Sequence, residues 1–164
     1  MTVRDVIKDV ESLTMTFTAE FDATVERVWQ LLADARQLER WWGPPEWPAT
    51  FTRHDMVVGG ESHYYMSGPD GVLMRGWWRI TVVDEPRRLA FDDGFIDDDG
   101  NPDVAAPVID TELTIKPTAG GGTLLTVRSR FSSLEGLEEL AAMGMEEGMT
   151  SAMGQIDAIL AEDP

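Results

Sequence analysis

The chain has 164 residues, 43% hydrophobic and 26% charged, which is enough for one domain with its own core. It holds no cysteine, so disulfides and thiolate chemistry are excluded, and a cytoplasmic location is the expectation. Thirteen basic residues against 30 acidic ones give a net charge of −17, a field that repels nucleic acid and anionic membrane surfaces.

The first residues, "MTVRDVIKDVESL", are too charged for the apolar core of a signal peptide. Val3, Val6, Ile7 and Val10 fall at helical spacing, so residues 1–11 read as an N-terminal extension, either a short helix or a frayed tail. Residues 12–161 read as a single domain. "SLTMTFTAEF" (12–21) alternates between apolar and polar positions and predicts a half-buried strand. Val25, Val28, Trp29 and Leu32 then recur at helical spacing, and Ala35, Leu38 and Trp42 continue it in a looser phase. Two short helices are expected, breaking near Asp34 and stopped by Gly43-Pro44-Pro45.

Six further strands are predicted at about 48–55, 60–67, 72–84, 87–93, 107–117 and 123–131, joined by Gly-, Pro- and Asp-rich turns. With the first strand they make a seven-stranded antiparallel sheet. The acidic "DDGFIDDDGNPD" (92–103) reads as a solvated, mobile loop; an EF-hand would need an acidic residue where Phe95 stands. Residues 133–161 predict one long helix with a stripe of small residues, Ala141, Gly144, Gly148 and Ala152, flanked by Met145 and Met149. Glycine inside a helix costs roughly 1 kcal/mol against alanine, so the stripe needs a reason. Close helix–sheet packing is one, and room for a ligand is the other.

The order strand, two short helices, six strands, long helix resembles the helix-grip, α+β fold of the START-like (SRPBCC) superfamily, that of the birch-pollen-allergen-like proteins. Four segments carry a closer resemblance to the heat-shock protein 90 ATPase activator homologues: "FDATVERVWQLLADARQLERWW" (21–42), "VGGESHYYMSGPDG" (58–71), "RGWWRITVVDEPRRLAF" (75–91) and "ELTIKPTAGGGTLLTV" (112–127). The resemblance implies a curved sheet wrapped around the C-terminal helix with an apolar cavity between them, and the "WWGPPEWP" stretch (41–48) at one mouth. Trp41 and Trp42 are then either a plug of the core end or a ligand-contacting rim. Trp78 is likewise either core or cavity lining.

The ligand-binding residues expected on this reading are Trp41, Trp42, Tyr64, Met74, Trp78, Phe91, Met145, Gly148, Met149 and Ala152. No catalytic residue, metal ligand or cofactor is expected. His54 and His63 have no partner at metal-ligand spacing, and "AGGG" (119–122) closes a strand pair instead of opening a helix. The expected partner is a small apolar molecule, with neither nucleic acid nor membrane. The alternatives are a chaperone partner, as the family resemblance implies, or a cyclase-like enzyme. An enzyme would draw its polar groups from Glu61, His63, Tyr64, Tyr65 and Glu112.

Overall fold

A computed structural model describes residues 3–162. The predicted alternation forms β2 (Thr14–Phe21), where Met15, Phe17, Ala19 and Phe21 are buried and the threonines between them are not. Ahead of it, β1 (Val3–Asp9) pairs antiparallel with β2, which corrects the expected helix or frayed tail. Ile7 stays 58% exposed and Val10 53%, while Val6 packs against the core, as strand alternation and not helical spacing would have it. Backbone pairing satisfies an edge of β2 that would otherwise stand open. The turn between them is held by the Asp9 carboxylate, which accepts from the Glu11 amide at 3.0 Å.

Two helices follow as expected. Thr24 caps α1 (Val25–Ala33) by accepting from the Arg27 amide, and Val28, Trp29, Leu31 and Leu32 form its buried face. Asp34 is extended, which ends α1, and its carboxylate caps α2 (Ala35–Leu38) through the Arg36 amide at 2.9 Å. α2 stops at Leu38, well before the prolines, so Trp41 and Trp42 lie in the turns beyond it.

The remaining strands are β3 (Ala49–His54), β4 (Glu61–Ser67), β5 (Leu73–Asp84), β6 (Arg88–Phe95), β7 (Ile109–Pro117) and β8 (Thr123–Arg130). One antiparallel sheet holds all eight in the order β1-β2-β8-β7-β6-β5-β4-β3, one strand more than predicted. The pairing of β5 with β6 shifts register between Ile80 and Val82, and beyond the shift Val83 packs against the core. β6 runs on through Phe95, so Asp92 and Asp93 belong to the sheet, as the strand predicted over 87–93 has it, and the acidic loop begins only after them. The acidic segment beyond is a solvent-exposed reversal in which Ile96 bridges Pro102 and Asp97 Oδ1 accepts from the amides of Asp99 and Asn101.

The predicted long C-terminal helix is three: α3 (Leu134–Ala142), α4 (Met145–Met153) and α5 (Ile156–Ala161). Gly144 adopts φ +89°, a left-handed conformation that glycine tolerates and that ends one helix and starts the next. Near Gly154 the break is milder, a tightened turn in which the Gln155 amide bonds Ala152 O at 3.1 Å. The kink re-phases the inward row: Leu137 and Leu140 before it, Met145, Met149, Met153, Ile156 and Ile159 after it. Leu134 is left 46% exposed.

Candidate functional site

The inward face of the sheet and the α3–α4 kink do not close on each other completely. Between them, beside the loop that follows α2, lies a cavity of about 200 Å³. Its apolar walls include Trp42, Pro44, Met66, Met74, Ile109, Leu140, Met145 and Met149. Two clefts of about 330 and 500 Å³ adjoin it, sharing Met74 and Met143 with it. Methionine side chains adapt to irregular volumes, so this lining suits an apolar body of variable shape.

Six of the ten expected residues come together here: Trp42, Tyr64, Met74, Met145, Gly148 and Met149. The other four lie behind the wall. Trp41 is fully buried and donates from Nε1 to Leu31 O at 2.9 Å, which makes it the plug while Trp42 lines the cavity. Trp78 and Phe91 are buried and stacked at 3.7 Å, forming a floor beneath Trp42, whose ring meets Trp78 edge-on at 4.9 Å. Ala152 is packed in the core. The small stripe therefore has separate causes. Gly144 makes the kink, Ala152 permits close packing, and Gly148 borders open space, where an added Cβ would touch only Pro44 Cγ at 3.9 Å.

Polar groups enter the cavity from β4 and β6. Strand alternation turns Ser62, Tyr64 and Met66 inward, and on β6 it turns Leu89, Phe91, Asp93 and Phe95 the same way. Tyr64 sits opposite Gly76 on β5, and its ring lies across that residue, where any Cβ would come within 2.3 Å of the ring carbon bearing the hydroxyl. Gly76 is thus kept small by a ring. Passing over it, Tyr64 OH donates to Asp93 Oδ1 at 2.8 Å.

Removal from bulk water pushes the Asp93 carboxyl up to about 7, against the pull of the Tyr64 hydroxyl bonded to it. Burial, and then the neighbouring Asp93 charge, raise the Tyr64 phenol well above its usual range. The Trp78 Nε1 donor is buried with no hydrogen-bond partner. Asp93 is half-buried, and the part it leaves open faces the cavity it lines. The arrangement is a phenol and a carboxyl at the base of an apolar chamber, able to hold or release a proton near neutral pH.

Sequence reasoning missed Asp93 by grouping it with the acidic stretch. The signal was its place two residues after Phe91 and two before Phe95, in phase with the inward row. Of the other polar candidates only Tyr64 enters the cavity. Glu61 and His63 pair with each other at 3.1 Å on the opposite face of β4, and Glu112 pairs with Arg88 and Arg128 on the outer face of the sheet. Tyr65 alternates outward with them. His54 is structural: Nε2 donates to Leu32 O at 2.8 Å, so Nδ1 accepts from the Ser62 hydroxyl at 2.7 Å. Desolvation lowers its pKa and keeps it neutral in this role.

The family model described as "Activator of Hsp90 ATPase homolog 1-like protein" matches residues 22–161. A solution structure of a protein from Arthrobacter aurescens is 51% identical, covering 98% of this chain and 93% of that one, with a TM-score of 0.93. The crystal structure of a Mycobacterium smegmatis protein is 48% identical over 96% of each chain, with a TM-score of 0.88. A Rhodobacter sphaeroides protein at 23% identity and TM-score 0.82 shares the fold. The comparison with curated proteins gave no match. The fold is the helix-grip fold, and the chain belongs to the family of proteins like activator of Hsp90 ATPase homolog 1.

Proposed function

We propose that this protein binds a small hydrophobic or amphipathic molecule in the cavity between α4 and the sheet. The observation that carries the reading is a Met- and Trp-walled chamber with one polar pair at its base. Few convergent polar groups in an otherwise apolar pocket is the usual pattern of small-molecule sites. Gly148 supports it, since a helical glycine without close packing against it costs stability unless the space is used. The test is titration with an uncharged solvatochromic dye, read by dye emission and Trp quenching, with native mass spectrometry of freshly purified protein. Binding tighter than about 0.1 mM, or about −5.5 kcal/mol, is expected. No binding up to that concentration refutes the reading.

A chaperone partner is the second reading, favoured by the family's description. Stimulation of a chaperone ATPase by the purified protein would support it. Enzymatic acid–base chemistry on a bound substrate would draw on Tyr64 and Asp93, and turnover lost in Asp93→Asn would decide for it.

A further inference from the structure

Among the residues lining the cavity, Asp93 is the only carboxylate and no Lys, Arg or His is present. Its Oδ1 already accepts from Tyr64, and among the described residues no cation pairs with it. Once ionised, a carboxylate set in apolar surroundings with one neutral hydrogen bond is an incomplete arrangement, because buried charges are normally paired. Its β6 neighbour Asp92 does not share the problem, since alternation turns it to the other face, in register with Arg79 and Asp110.

The surroundings carry the same sign. Glu46 and Glu147 line one adjoining cleft, Glu139 and Asp103 the other, and Arg75 is the single cation lining either. The whole chain adds a net charge of −17. An anionic ligand meets repulsion at every stage of entry, and a neutral one leaves the carboxylate unpaired. A cation is drawn in by the field and completes the pair.

Resting on the cavity reading above, we propose that the ligand class is a cationic amphiphile: an alkyl- or arylalkylammonium whose nitrogen pairs with Asp93 while its apolar body lies among Trp42, Met145 and Met149. Asp93 then selects the ligand's charge, and the methionine wall accepts varied hydrocarbon. The buried pair is a recognition element completed from outside the chain.

The test uses three probes with the same tail, octylammonium, octanol and octanoate, titrated calorimetrically into the full chain at pH 8. Salt of about 0.3 M shortens the reach of the general field below about 10 Å and leaves a contact pair in the cavity largely intact. The expected order is octylammonium, then octanol, then octanoate, with octylammonium preferred over octanol about tenfold, the scale of one charge-assisted hydrogen bond. Asp93→Asn should collapse that ratio, and Glu61→Gln, on the outer face, should leave it intact. Equal affinity of octylammonium and octanol for the unaltered protein overturns the proposal while leaving the cavity reading standing. A ratio that survives in Asp93→Asn also overturns it, since the selection would then come from the overall charge. Failure of all three probes to bind sinks the cavity reading and the proposal with it. Should Asp93→Asn not fold, the order measured on the unaltered chain in salt decides.

Discussion

Replacing Asp93 by Asn should stabilise the protein above neutral pH and do little in acid. The carboxyl is raised from 3.8 to about 7 in the folded state. Between those values the native protein holds a proton that the unfolded chain has released, so stability falls as pH rises. The contribution is complete below about 3.8 and is lost as pH climbs through about 7, which leaves a charged carboxylate in the cavity at pH 8.5. At 1.36 kcal/mol per pH unit the gap corresponds to about 4 kcal/mol, an upper bound because Asp93 keeps some exposure through the cavity. Asn has the shape of the neutral acid, and its oxygen can still accept from Tyr64. The variant should therefore gain up to about 4 kcal/mol at pH 8.5 and nearly nothing at pH 4. For a domain of this size such a gain raises Tm by roughly 8–16 °C. Urea unfolding followed by Trp fluorescence across this range reads the difference, and every other titrating group cancels between the two proteins. A variant effect that is flat with pH would show that the carboxyl titrates normally and is in contact with water.

Gly76→Ala should cost about 1–3 kcal/mol, because its Cβ collides with the Tyr64 ring; the same variant should weaken dye binding by moving Tyr64 off Asp93, and intact affinity would argue against that positioning. Gly148→Ala should stabilise by about 0.5–1 kcal/mol in thermal unfolding, since the helix gains propensity and the new methyl meets only Pro44. Gly148→Leu, in contrast, should reduce dye affinity while the protein still folds; failure to fold would restore the close-packing explanation. His54→Ala should cost about 1–3 kcal/mol by leaving Leu32 O and the Ser62 hydroxyl unpartnered. Because the folded His54 pKa is lowered, its contribution is present above the ordinary histidine value and lost as pH falls through the depressed one, so the measured cost should shrink in acid.

Local periodicity was enough to read β2, the two helices parted at Asp34, the central strands and their turns, because each depends on neighbours two to four residues away. Four ordered motifs were enough for the family. The sequence also pointed to Trp42, Met145, Gly148 and Met149 as a lining, since soft or small residues in those places lack a purely local reason. What it left undecided depends on distant partners. Whether residues 3–9 form a helix or a strand turns on the open edge of β2, which local spacing does not register. Whether Trp41 or Trp42 faces the cavity is set by the Leu31 carbonyl that captures the Trp41 indole. The break at Gly144 looks like one more small residue until its left-handed backbone is known. Asp93 shows the limit most clearly: in sequence it is one acid in an acidic stretch. Only the pairing of β4, β5 and β6, with Gly76 making room for a ring, brings a phenol from 29 residues away to its carboxylate and leaves the rest of that carboxylate facing an apolar space.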